Sequence, residues 1–136
     1  MQDRTVLSKK NQEGFTLLEI MVVLVIIGVL AALVAPRFLE RADEAKVEAT
    51  KVQMTNIGQA LKLYRLQHGK YPNSGDGLQV LTSGSKRYLD TIPKDPWGND
   101  YVYLSPGVHG DFDILSYGVD GQAGGSGMDA DIGNWQ

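Results

Sequence analysis

Beyond Lys94 the chain carries seven aspartates and no lysine or arginine: Asp95, Asp100, Asp111, Asp113, Asp120, Asp129 and Asp131. Two pairs, Asp111-Phe-Asp113 and Asp129-Ala-Asp131, have the Asp-x-Asp spacing that some metal-dependent transferases use. Residues 117–133, YGVDGQAGGSGMDADIG, combine Asp120, Asp129 and Asp131 with backbone carbonyls freed by many glycines. An all-oxygen set of this kind suits Ca²⁺, which takes roughly 6–8 oxygen ligands. The spacing is not that of an EF-hand loop, so the segment reads either as a calcium-ordered loop or as a flexible acidic tail. Ordering so glycine-rich a loop loses much conformational entropy, so an ordered form needs a clamp. Catalysis is not expected. There is no nucleotide-binding glycine loop, no Ser-His-Asp set and no histidine cluster. His68, at a helix end, and His109, in a turn, read as ordinary surface residues.

Glu19 is the second residue with chemical consequence. It is the one ionisable side chain in residues 15–35, FTLLEIMVVLVIIGVLAALVA. As a helix this run would be about 31 Å long, close to the hydrocarbon thickness of a bilayer. It is apolar on every face, unlike an amphipathic core helix. A carboxylate inside such a helix costs about 2.5–3.5 kcal/mol on insertion scales, and the run offers no lysine or arginine to pair it. An ordinary signal anchor or a cleaved secretory signal leaves Glu19 unexplained. A cut between Gly14 and Phe15 would supply an amine, and Lys9 and Lys10 would then form a short basic leader. Those lysines also favour a cytoplasmic amino terminus. The cut lies ahead of the apolar run, so the mature chain would keep its helix.

Residues 14–38, GFTLLEIMVVLVIIGVLAALVAPRF, resemble the amino-terminal signature of type IV pilins and pseudopilins. The resemblance implies cleavage between Gly14 and Phe15 by a prepilin peptidase, which also N-methylates Phe15. It implies that Glu19 and Pro36 serve assembly, with Glu19 meeting the terminal amine of a neighbouring subunit. Glu13, directly before the glycine, departs mildly from the pattern.

The elements that must position these residues follow from composition and period. The chain has 136 residues, a formal charge of −3 and no cysteine. These values fit one small domain and exclude disulfides and thiol chemistry. They also leave no basic field for nucleic acid. From Pro36 to His68 an amphipathic helix is expected, its stripe formed by Ala42, Ala45, Ala49, Val52, Ala60 and Leu63 and widened by Ile57, Leu61 and Tyr64. Pro36 should kink it or loosen its hydrogen bonds. Continuous from Phe15, the rod would be roughly 80 Å long. Gly69 and Pro72 mark its stop. Residues 76–81 read as one or two helical turns burying Leu78 and Leu81. Tyr101–Leu104 and Phe112–Tyr117 read as short strands joined through the turn-rich Ser105–Gly110. Asp95-Pro-Trp-Gly reads as a turn that buries Trp97. The fold class is α+β: a long amino-terminal helix, half transmembrane and half amphipathic, packed on a small carboxy-terminal antiparallel sheet.

Further blocks narrow the resemblance. Tyr71-Pro72, Gly77-Leu78, Ile92-Pro-Lys-Asp-Pro-Trp-Gly-Asn-Asp-Tyr101, Leu104-Ser-Pro-Gly107 and Asp131-Ile-Gly-Asn-Trp135 are similar to the major pseudopilins of type II secretion systems. That resemblance implies a structural, non-enzymatic subunit. It would comprise a cleaved leader (1–14), a transmembrane and assembly helix (15–35) and a periplasmic domain (36–136) whose amphipathic helix spans 36–68 and whose loops and short strands span 69–136. The subunit would sit in the inner membrane of a Gram-negative bacterium, single-pass and surrounded by lipid, before forming a homopolymeric periplasmic pseudopilus. Its partners would be the prepilin peptidase, minor pseudopilins and the inner-membrane assembly platform; nucleic acid is not among them. The resemblance also implies a structural Ca²⁺ in the acidic loop. Asp120 would be the first ligand, with the carbonyls of Tyr117 and Gln122. Asp129 and Asp131 are both candidates for the second carboxylate, with Asp131 preferred, and Ser126 could add an oxygen. The alternatives are a type IV or competence-type pilin of an extracellular fibre, and a membrane-anchored calcium-binding module that forms no polymer.

Overall fold

The computed structural model describes residues 13–136. The expected leader, with Lys9 and Lys10, lies outside the described residues except for its last two. Two compact units divide the chain, one reaching Leu39 and the other running from Glu40 to Gln136. The long helix α1, Leu17–His68, contributes to both.

In the first unit, α1 is apolar and exposed. Its most apolar 18-residue window has a mean hydropathy of 3.1 and is not buried at all. Such a helix is long and apolar enough to cross a membrane. Pro36 lies inside α1 and does not end it. It removes one backbone donor, the one that would have met the Ala32 carbonyl.

In the second unit, α1 supplies one wall of a core. Met54, Ile57, Ala60 and Leu61 are buried against Leu78, Leu81, Tyr101, Tyr103, Ile114 and Ile132. The expected stripe was partly out of phase with this face. Ile57, Ala60 and Leu61 are core residues and Tyr64 is half-buried, but Ala42, Ala45, Ala49, Val52 and Leu63 are exposed. Thr50 and Met54 take their place. Alanine fits either face of a helix, so an alanine periodicity sets no phase. Thr50 enters the core because its hydroxyl donates to the Lys46 carbonyl at 2.8 Å and needs no other partner. At the helix end Gly69 adopts a positive φ of 78° and donates its N–H to the Arg65 carbonyl at 2.7 Å, a left-handed cap that glycine adopts without strain.

A 3-10 turn over Leu78–Leu81 buries both leucines, as the sequence predicts. The strands β1 (Val102–Leu104), β2 (Asp113–Ser116) and β3 (Ile132–Gly133) form one antiparallel sheet in that order. Tyr103 pairs with Ile114, and Leu115 with Gly133. The sequence offers no sign of β3, because two residues carry no readable period. Its ladder is extended by Asn134, whose N–H donates to the Ile114 carbonyl at 3.1 Å and whose Oδ1 accepts the Ile114 N–H at 2.9 Å. The Asp95-Pro-Trp-Gly turn forms, but its buried residue is Asp95, 4% exposed; Trp97 is half-buried against the core.

Candidate functional site

Glu19 has a local partner that a search for a cation misses. The Thr16 N–H donates to Glu19 Oε2 at 3.3 Å, and the Glu19 N–H donates to Thr16 Oγ1 at 3.2 Å. This reciprocal pair is a capping box, and its Thr-x-x-Glu signature is legible in Thr16-Leu-Leu-Glu19. It satisfies two of the donors that a helix start leaves open. One turn before, Gly14 and Phe15 are exposed, Phe15 at 87%. A Cβ on Gly14 would meet nothing within 4 Å, so the fold itself does not require glycine there.

The acidic loop is tied across its own length by one carboxylate. Gly124 donates its N–H to Asp131 Oδ2 at 2.9 Å, which ties the middle of the loop to its end. A Cβ on Gly118 would lie 3.1 Å from the Ala130 carbonyl oxygen, and one on Gly125 would collide with the Asp129 carbonyl oxygen. Both glycines have positive φ, 68° and 93°, so closeness and conformation each call for glycine. Asp120 is exposed, and its Oδ1 accepts the Gln122 N–H at 3.1 Å in a tight local turn. Asp129 is exposed in a 3-10 turn, Gly127–Asp129, and its N–H donates to the Ser126 carbonyl at 3.2 Å. Tyr117 is half-buried, while Gln122 and Ser126 are exposed.

Asp131 stands apart from the other carboxylates of the loop. Its Oδ1 is buried and has no hydrogen-bond partner, although its Oδ2 is satisfied. A buried carboxylate oxygen left in this way costs the full loss of its hydration. A hard cation would remove that cost, and the loop supplies the oxygen chemistry such an ion takes. Among the described residues no three His, Cys, Asp or Glu side chains gather into a metal-binding group. Any cation there would therefore depend on backbone carbonyls as well as carboxylates.

The other Asp-x-Asp pair does structural work. Asp113 is 2% exposed. Its Oδ2 accepts the Val108 N–H at 2.8 Å and contacts His109 Nδ1 at 3.0 Å. It also accepts the His109 N–H, so the carboxylate gathers the whole turn after β1. The His109 ring stacks on Trp135 at 3.7 Å between centroids, which fastens the chain end to that turn. His109 is thus not the plain surface residue its position suggests. Asp111 lies outside this cluster and pairs with Arg65 at 3.3 Å on the surface.

Burial drives the Asp113 pKa upward, but the His109 ring and the Val108 and His109 amides outweigh it and hold the carboxyl below its ordinary 3.8. A depressed folded value contributes stability above the unfolded pKa, and that stability is lost as pH falls through the folded value. Asp113→Asn is therefore expected to lower the melting temperature at neutral pH and to flatten its decline below about pH 4. Thermal melts from neutral to acid pH check this; a variant curve parallel to the parent's would refute it. The Tyr101 phenol, hydrogen-bonded to Gln53, is pushed up to about 12 by burial first and by the charge of Asp95 second, so it stays neutral in ordinary conditions.

Comparison with known proteins bears on both regions. Residues 37–135 match the family model "Type II secretion system (T2SS), protein G", and residues 9–35 match the "Prokaryotic N-terminal methylation motif". The chain is 47% identical to the type II secretion system core protein G of Pseudomonas aeruginosa, over 95% of this chain and 99% of that one. It is also 47% identical to the core protein G of Vibrio cholerae, over 93% of each. Among solved structures it is similar to the major pseudopilin of the type 2 secretion system of enterohaemorrhagic Escherichia coli. The TM-score is 0.63 and the identity 33%, covering 71% of this chain and 92% of that one. With a compact second unit matched almost throughout and an apolar helix matched by the methylation motif, the chain belongs to the protein G family of type II secretion systems.

Proposed function

We propose that this chain is a structural subunit that polymerises into the periplasmic pseudopilus of a type II secretion system and helps drive folded proteins across the outer membrane. The observation that carries this reading is the first unit. Its helix exposes the successive residues Leu24, Val25, Ile26 and Ile27 alike, which point about 100° apart around the axis, so every face requires either lipid or other copies of the same helix. Lipid serves the subunit before assembly, with the helix in the inner membrane and the second unit in the periplasm. Neighbouring helices serve it afterwards. Its role is mechanical, and no step of it requires catalysis by this chain. The matched methylation motif supports processing by a prepilin peptidase, and the exposed Gly14–Phe15 bond is accessible to one. Glycine at position 14, where the fold makes no demand, is what an enzyme's cleft would select.

The loop of residues 117–131 is proposed to hold one structural Ca²⁺. Asp131 and Asp120 would supply carboxylate oxygens, and Tyr117 and Gln122 their carbonyls, with Ser126 as a further oxygen. The buried, partnerless Asp131 Oδ1 supports Asp131 over the exposed Asp129. The ion would supply a fixed positive centre for a loop whose glycines otherwise oppose order.

The intact mass of protein extracted from its native membrane tests the main reading. A chain that begins at methylated Phe15 is the expected result. An uncut chain from cells with an active peptidase would overturn it and leave a membrane-anchored module.

A further inference from the structure

We propose that the Asp95–Asn99 turn is the positioning element of the acidic loop, and that Asn99 sets the loop's affinity for calcium by gripping the backbone on both sides of Asp120. This rests on the calcium reading above.

The turn is built around the buried Asp95. Its Oδ1 accepts the N–H groups of Trp97 and Asn99 at 3.1 and 2.8 Å. Its Oδ2 accepts the Ser116 hydroxyl at 2.6 Å. Ser116 Oγ in turn accepts the Gly118 N–H at 3.2 Å. From the other side, Asn99 Nδ2 donates to the Gly118 carbonyl at 3.3 Å. The turn therefore holds the Gly118 carbonyl directly and the Gly118 N–H through Ser116 at the end of β2.

Two consequences follow for the donor atoms. The Tyr117 carbonyl shares a planar peptide unit with the Gly118 N–H, so fixing that N–H on Ser116 also aims the carbonyl. Asp120 lies between Gly118 and Gly121, both at positive φ (68° and 65°), where the backbone is at its most permissive. Asn99 closes against both. It bonds Gly118, and its side chain lies so near Gly121 that a Cβ there would be 3.3 Å from Oδ1. One side chain thus bonds the first of the two hinges flanking Asp120 and limits the room at the second. Groups that orient ligands in this manner typically change metal affinity by about 10–100-fold when removed.

The test uses the full-length chain in detergent, titrated with calcium chloride by calorimetry and melted with and without chelator. Asn99→Ala keeps the backbone bonds of its own turn and deletes only the grip, and Asn99→Ser serves if the alanine variant does not fold. The expected result is a calcium affinity about tenfold weaker or worse and a smaller calcium-induced rise in melting temperature. In chelator, faster amide exchange is expected in residues 117–122. A purely structural role for Asn99 would lower both melting temperatures equally and leave the affinity unchanged, and that result would overturn the proposal while the calcium reading stands. A parent chain that takes up no calcium would overturn the calcium reading itself, and this inference with it.

Discussion

Replacing Glu19 with alanine is expected to abolish fibre assembly while leaving the second unit folded and the chain in the membrane. The carboxylate is costly in lipid, by about 2.5–3.5 kcal/mol, so its removal eases membrane residence. The capping box with Thr16 offsets part of that cost in the single subunit. In the proposed fibre the same carboxylate meets the amine of a neighbour in a dry helical core. Deleting one partner of a buried charge pair costs about 3–5 kcal/mol, which is on the order of 100-fold or more per subunit contact. A polymer repeats that loss at every step. The parent chain has no cysteine, so single cysteines placed on the second unit can report inter-subunit cross-links without background. The parent is expected to give a ladder and Glu19→Ala monomers. Glu19→Gln separates the two roles, because an amide can still accept the Thr16 N–H but carries no charge. Loss of the ladder in Glu19→Gln assigns assembly to the charge. A full ladder in Glu19→Ala would reject the assembly role altogether.

The second large effect is expected at Asp131, and its size should depend on calcium. With calcium at about 100 times its dissociation constant, a single bound ion stabilises the folded state by about 2.7 kcal/mol. For a unit of this size that corresponds to a melting temperature higher by on the order of 10 °C. Asp131→Ala should remove this rise. In chelator the same substitution should be close to neutral. It deletes the bond to the Gly124 N–H, but it also relieves the buried, partnerless Oδ1. Asp129→Ala should leave the calcium response in place, because Asp129 is exposed in its 3-10 turn. Melts of the three proteins with and without chelator decide the matter. An equal loss for Asp131→Ala in both conditions would reduce Asp131 to a hydrogen-bond acceptor with no part in metal binding.

Some of this was open to reading along the chain, and the reason is that it is local. An apolar run is legible because hydropathy adds residue by residue. The helix stop at Gly69 and the short turn burying Leu78 and Leu81 follow from neighbours in sequence. The Thr16-Leu-Leu-Glu19 box is equally local, and it escapes notice only when Glu19 is treated as a charge in need of a cation. The candidate oxygens of the acidic loop are visible from composition alone.

What the tertiary structure decided is which of several equivalent residues face inward. The expected stripe was right at Ile57, Ala60, Leu61 and Tyr64, but its other alanines set no phase, and packing against Tyr101, Tyr103 and Ile114 chose Met54 and admitted Thr50, whose hydroxyl is satisfied one turn back. Asp129 and Asp131 are two residues apart in the same acidic segment, yet only Asp131 has a buried oxygen without a partner. Asp95 and Asn99 look like turn residues in sequence, and they reach the loop only because the fold brings Ser116 and Gly118 to them from about twenty residues away. Sequence by itself determined the apolar helix, the processing signature and the inventory of oxygens, since these depend on composition and short spacing. Burial, pairing and aim depend on contacts between distant segments, and only the folded chain fixes those.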